Sequence, residues 1–164
     1  MCNTVRKANL KDLPRVEEIY AYARSFMRQT GNPNQWGNSY PPREQIVQDI
    51  EAGELFVTED ANKIHGVFFF RIGEDPTYDK IYDGNWRSDT PYGTIHRIAG
   101  DGTGGILRIA AAYGAARIDH LRIDTHQNNH VMQKALHRQG FERRGIIYIE
   151  DGSPRIAYDK LISK

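Results

Sequence analysis

His96, Asp124 and His126 are the residues whose types and settings are best suited to moving protons. His96 sits in an apolar strand pattern, Thr94-Ile-His-Arg-Ile-Ala, that runs into Gly100-Asp-Gly-Thr-Gly-Gly105. Histidine titrates near neutral pH, so at an accessible strand end it is a candidate general base. Alternation places His96, Ile98 and Gly100 on one strand face, and Ile95, Arg97 and Ala99 on the other. Asp124 and His126 share a face of the next strand pattern, Leu121-Arg-Ile-Asp-Thr. A carboxylate there can hold a cationic group, orient His96, or accept a proton through water. The competing reading is structural: a hydrogen-bonded histidine, and a carboxylate paired with Arg122 or Arg97. A metal set of Asp124, His126 and His130 crosses a strand–helix junction and lacks a further close ligand, so no metal site is assigned.

The glycine-rich loop has its own chemistry. A helix that starts behind such a loop presents unpaired backbone N–H groups, and these favour phosphate. The strand, loop and helix therefore make a site for a phosphorylated cofactor.

Elements must position these residues. The pattern predicts a strand over 5–8, then Asn9 and Asp12 at capping-box spacing, with Asp in place of the usual Glu. Leu10, Leu13, Val16, Ile19, Tyr20, Ala23, Phe26 and Met27 recur at threes and fours, which predicts an amphipathic helix. Gly31-Asn32-Pro33 stops it, and 34–42 is an ordered loop carrying Trp36 and Tyr40. A short helix is predicted over 43–52, and strands over 55–57 and 64–72. The Val67-Phe-Phe-Phe70 run points to burial on both faces. Residues 74–91, rich in Asp, Gly, Pro and Tyr, lack periodicity; such loops are functional lids or flexible. Beyond lie a strand over 94–99, a helix over 105–118, a strand over 121–125, a helix over 129–139 and a hairpin of 145–150 with 156–161. The order is βααβββαβαββ, an α/β (α+β) arrangement with helices on both faces of a mixed sheet.

The chain has 164 residues, 39% apolar and 26% charged, a size and balance that suit one domain over 1–164. A net charge of +1 offers no field to steer nucleic acid or an anionic membrane. No apolar run reaches the ~18 residues that span a bilayer. The single cysteine, Cys2, has no internal partner, which fits a reducing, cytoplasmic setting.

This order, with its local signals, resembles the GNAT superfamily of acyl-CoA-dependent N-acyltransferases across essentially the whole chain. In that family the loop and helix start grip the coenzyme A pyrophosphate through a pattern beginning with Arg or Gln and ending Gly-x-Gly/Ala. Arg97-Ile-Ala-Gly100-Asp-Gly102 fits the letters but starts inside the strand. Thr103-Gly104-Gly105-Ile106-Leu107-Arg108 is better placed, though it lacks the leading Arg or Gln and has Leu107 where Gly or Ala is usual. The helix Asn129-His-Val-Met132, closing in Gly140-Phe141, looks like the family's pantetheine-contacting segment, with Asn128 as an alternative to Asn129. Many members carry a Tyr seven residues after that Asn as general acid; here the position is Leu136.

The resemblance implies a mixed, mostly antiparallel sheet of six to seven strands flanked by about four helices. It implies acetyl transfer from acetyl-CoA to a primary amine of a small molecule, by direct attack in a ternary complex. His96 and Asp124 are then the catalytic candidates. Backbone amides at Ile98 and Ala99 meet the thioester carbonyl, and Gly104, Gly105, Ile106, Leu107, Arg108 and Asn129 hold the cofactor. Trp36, Tyr40 and His126 face the acceptor, with Trp86 as a further member of an aromatic wall that recognises an amine by cation–π contact or simply anchors the loops. Tyr148 and Tyr158 are candidates to replace the missing acid, although sheet packing explains them as well. Family members often pair through sheet edges or terminal strands, so a homodimer is a candidate assembly. The degenerate loop and Leu136 leave one alternative: an acyl-CoA-binding module with little catalysis.

Overall fold

The computed structural model describes residues 3–163, so Cys2 lies outside the described residues. The strands are β1 (Thr4–Lys7), β2 (Leu55–Asp60), β3 (Lys63–Ile72), β4 (Gly93–Gly100), β5 (His120–Thr125), β6 (Glu142–Tyr148) and β7 (Pro154–Leu161). The helices are α1 (Leu13–Gln29), α2 (Arg43–Glu51), α3 (Ile106–Ala115) and α4 (His130–Arg138). With two short 3-10 turns, Leu10–Asp12 and Pro76–Tyr78, set aside, the order is the expected βααβββαβαββ.

All seven strands join one sheet in the order β1-β2-β3-β4-β5-β7-β6. Every neighbouring pair is antiparallel except β4 and β5. That pair is parallel because α3 carries the chain back across the sheet between them, the connection a parallel pair requires.

The Val67-Phe-Phe-Phe70 run is buried on both faces. Val67 and Phe69 pack with Val16, Ile19 and Tyr20 of α1 and Ile46 and Ile50 of α2. Phe68 and Phe70 pack with Leu107, Ala110 and Ala111 of α3. Asn9 forms the capping box: its side chain accepts from the Lys11 amide at 3.0 Å, and Asp12 accepts from the Asn9 amide at 2.8 Å. It serves the Leu10–Asp12 turn that leads into α1.

One strand departs from simple alternation. Val67 pairs with Ala99 and Phe69 with His96, so Arg97 and Ile98 together stand opposite Phe68. This is a β-bulge, and Arg97 takes φ +46°, a left-handed conformation unusual for a residue with a side chain. The extra residue shifts the face parity. Ile95 and Ile98 both enter the α3-side core, while the His96 ring and the Arg97 guanidinium both lie against Phe69. The expected sharing of one face by His96 and Ile98 is therefore wrong.

The segment 74–91 is neither a free lid nor an unpinned loop. Tyr82 exchanges backbone hydrogen bonds with Ile146 at 2.7 and 2.8 Å, which adds a rung beside β6. Arg87 pairs with buried Asp159 at 2.7 Å and with Glu142 at 2.8 Å. Trp86 donates to the Tyr78 carbonyl at 3.0 Å and covers Arg122, which is sandwiched 4.0 Å from the Trp86 and Tyr92 ring centres. No helix among the described residues is long and apolar enough to cross a membrane.

Candidate active site

The site begins where two strands part. β4 and β5 pair only at Gly93 with Leu121 and Thr94 with Arg122. Beyond Thr94 they diverge, leaving the β5-facing edge of β4 without a strand partner. A cleft of about 840 Å³ occupies the opening and continues toward α1 and the 31–42 loop. His96, Ile98, Asp124, His126, Asn129, Trp36 and Tyr40 all line it.

His96 enters from the bulged stretch of β4. Its Nε2 lies 2.7 Å from Asp75 Oδ2, and its Nδ1 lies 3.8 Å from Asp124 Oδ2. Burial opposes ionisation of the Asp75 carboxyl, but hydrogen bonds from His96 and Thr77 outweigh it and hold the group well below the usual carboxylate range. An ionised Asp75 accepts from Nε2–H, which assigns the ring tautomer and leaves the Nδ1 lone pair toward Asp124. Asp124 in turn accepts from the hydroxyl of buried Tyr78 at 2.7 Å. Burial and the adjacent Asp124 raise that phenol well above its ordinary value, so Tyr78 remains a donor.

The 74–91 segment thus supplies two residues the sequence did not single out. Asp75 is fixed by its own contacts: its amide donates to Tyr92 Oη at 2.7 Å, and Oδ1 caps the Pro76–Tyr78 turn. The available signal was the Asp75-Pro76 start of a turn, which marks an N-cap without indicating where its free oxygen points.

The bulge is locked from the other side. Buried Tyr20 donates to the Arg97 carbonyl at 2.7 Å. Arg97 forks onto Asp49 of α2 at 2.6 and 3.0 Å, with its guanidinium carbon 4.5 Å from the Phe69 ring centre. These contacts compensate the left-handed backbone that turns His96 into the cleft.

The 31–42 loop crosses to the far wall. Trp36 packs edge-on to Tyr20 at 5.7 Å between ring centres and leans on Tyr40 at 6.0 Å. Gln35 Oε1 accepts from Asn129 at 2.9 Å and from Asn32 at 2.8 Å. Asn129 also caps α4, accepting from the Met132 amide at 3.0 Å, so its amide group is engaged at both ends. His126 accepts from the Asn128 amide at 3.0 Å; burial, with Arg155 nearby, lowers its pKa and favours the neutral ring. Trp86 packs on Tyr78 and Arg122 and is not in the cleft wall, so it is no part of an aromatic acceptor surface.

At the other end of β4, Gly102, Gly104 and Gly105 take left-handed φ values of +94°, +91° and +82°. A Cβ on Gly102 would stand 2.6 Å from the Tyr22 hydroxyl. α3 begins at Ile106 with no side-chain cap, so its first-turn amides have no side-chain acceptor. Arg97 lies within β4, bound to Asp49, which leaves Thr103–Arg108 as the window that opens the helix. Ala99, Gly104, Gly105, Ile106, Leu107 and Arg108 are outside the cleft wall. Ala99 and Leu107 direct their side chains into the two cores, so only their backbones can serve a ligand.

Neither Tyr148 nor Tyr158, the two candidates to replace the missing acid, reaches the cleft. Leu136 is fully buried. Tyr148 is half exposed against Tyr82, Tyr158 lies in the α3-side core, and neither lines the cleft.

No family model and no curated protein matches the chain. Solved structures do. A GNAT-family acetyltransferase from Streptococcus agalactiae 2603 is 28% identical, with a TM-score of 0.87 over 99% of this chain and 96% of that one. A GNAT-family acetyltransferase from Bacillus cereus ATCC 10987 is 21% identical, with a TM-score of 0.63 over 100% of both chains. AAC(6')-Ib in complex with ribostamycin and coenzyme A is 18% identical, with a TM-score of 0.67 over 98% of this chain and 94% of that one. The last two carry the fold alone. The parted β4–β5 pair, the uncapped α3 and the full-length match to the streptococcal protein together show that this chain belongs to the GNAT superfamily of acetyltransferases.

Proposed function

We propose that the protein is an N-acetyltransferase that moves an acetyl group from acetyl-CoA to the primary amine of a small molecule, by direct attack in a ternary complex. The observation that carries this reading is the His96 dyad inside the β4–β5 opening: Nε2 on Asp75 at 2.7 Å, with Nδ1 free toward Asp124 at 3.8 Å.

A span of 3.8 Å is too long for a hydrogen bond, yet one nitrogen atom about 2.9 Å from each group fits between them. An ammonium seated there donates to Asp124 and loses a proton to Nδ1. Asp75 stabilises the imidazolium that results. Acetyl-CoA supplies the activated acyl group as a thioester. Backbone amides at Ile98 and Ala99, on the stretch of β4 whose β5-facing edge has no strand partner, are the candidates to polarise its carbonyl. The uncapped amides at Gly105, Ile106, Leu107 and Arg108 suit the pyrophosphate, with Gly104 giving the backbone room to approach. The cap by Asn129 holds α4 at the cleft wall, where this residue and His126 stand beside the thioester arm and the acceptor. Trp36 and Tyr40 form the opposite wall.

A thiol-release assay over an amine library, paired with coenzyme A titration, tests this reading. Release with at least one amine is expected. Coenzyme A binding without release across a broad panel favours a binding module, a reading to which the buried Leu136 lends support. No coenzyme A binding overturns both.

A further inference from the structure

Arg155 is 7% exposed, lines the cleft, and forms no ion pair with any described residue. Its hydrogen bonds go to neutral oxygens: the Pro154 carbonyl at 2.8 Å, Ser153 Oγ at 3.2 Å, and the Gln35 carbonyl at 3.5 Å, the limit of a hydrogen bond. A guanidinium removed from water without a counterion is costly, so such groups are usually paired. Arg122 is also buried without an ion pair, but it is sandwiched between Trp86 and Tyr92, outside the cleft. Arg155 rests on no aromatic ring among the described residues. Asp124 and Asp151 attract the guanidinium from a distance, but neither pairs with it, which leaves its cleft side open to an anion.

Sheet register says where that anion would sit. Asp124 pairs with Ala157, and Ile147 pairs with Arg155. Arg155 therefore shares the cleft face with Asp124, one rung away on the diagonal, roughly 7–8 Å between backbones. The long Arg155 side chain can bring its guanidinium to within several ångströms of the short Asp124 side chain, beyond ion-pair distance. That is the separation of the amine and carboxylate of one amino acid.

We propose that the acceptor is an amino acid: its amine between His96 and Asp124, its carboxylate on the Arg155 guanidinium, and its side chain toward Trp36 and Tyr40. This rests on the N-acetyltransferase reading, and the geometry of Arg155 deepens it.

The test is acetyl-CoA-dependent thiol release with amino acids, their methyl esters and the matching decarboxylated amines. The amino acids are expected to lead in kcat/KM by roughly 10- to 100-fold, the worth of a charge-assisted hydrogen bond. In Arg155→Gln that ratio collapses toward one through KM, and Arg155→Lys restores part of it. Thermal melts confirm that both variants fold. A wild-type enzyme that takes esters and plain amines as well as amino acids overturns the proposal while leaving the acetyltransferase reading intact. So does an unchanged ratio in a folded Arg155→Gln. A preference for succinyl-CoA over acetyl-CoA with plain amines gives the guanidinium to the donor and also overturns it. If no compound is acetylated, the acetyltransferase reading falls. Calorimetric titration of amino acids into the coenzyme A-loaded protein then decides the acceptor proposal: Arg155-dependent binding upholds it, and no binding overturns it.

Discussion

Asp75 and His96 are 21 residues apart in sequence and 2.7 Å apart in the fold, a contact made by the irregular segment that wraps the outer edge of the sheet. The carboxylate fixes the imidazole's tautomer and aims its lone pair at Asp124. His96→Ala should lower kcat by ~10²-fold with coenzyme A affinity unchanged. Asp75→Asn keeps the shape but removes the charge, and should cost ~10-fold or more in kcat while moving the acidic limb of the pH–rate profile, the limb an essential base governs. An unaltered rate in His96→Ala removes it as the base; an unaltered profile in Asp75→Asn removes the carboxylate as its partner.

The bulge that aims His96 depends on a buried ion pair. Asp49 and Arg97 are both largely shielded from water, and Asp49 is 3% exposed. Removing one partner strands the other, so Asp49→Ala should destabilise the protein by about 3–5 kcal/mol in urea unfolding. Arg97→Lys should not rescue function, because an ammonium cannot fork onto Asp49 while covering Phe69. A loss under 1 kcal/mol in Asp49→Ala would show that Tyr20 alone holds the bulge.

Acid should loosen the glycine loop before the His96 dyad. Asp101 binds His65 at 2.8 Å, Arg15 at 2.9 Å and Thr103 at 2.6 Å. Burial raises its pKa, but the hydrogen bonds from Thr103 and His65 dominate and bring it from 3.8 to about 2. A depressed carboxyl contributes stability above its unfolded value and loses it as the pH falls through its folded value. The Asp101 contribution should thus be intact above pH 3.8 and decline toward pH 2. Asp101→Asn should flatten the drop in Tm between pH 4 and pH 2 relative to wild type. Parallel Tm curves for the two proteins would refute this account.

Gln35 ties the acceptor loop to α4. Gln35→Ala leaves the side-chain N–H groups of Asn129 and Asn32 without their acceptor. The loss should be about 1–3 kcal/mol, with faster amide exchange confined to 31–42 and the start of α4. Exchange that rises evenly across the protein would mean that Gln35 supports global stability and is no local tie.

The sequence alone determined the elements and their order. The 3.6-residue apolar stripe of α1, the doubly buried Val67–Phe70 run and the glycine punctuation before α3 are local signals, read from neighbours along the chain. They also marked His96, Asp124, Trp36 and Tyr40, which the fold gathers around one cleft. Only the tertiary structure decided what these side chains meet. The bulge at Arg97 reversed the face of every later residue on β4, because one inserted residue shifts a period-two pattern by half a period. Asp75 and Tyr78 gained their roles through contacts with His96 and Asp124 at sequence separations of 21 and 46 residues, and no local pattern encodes those. Arg155 lies just outside the predicted strand over 156–161 and carried no signal there; only its burial, with no ion pair to any described residue, sets it apart. Local propensity writes the elements; pairing and desolvation, which are long-range, decide which charges are left for a ligand.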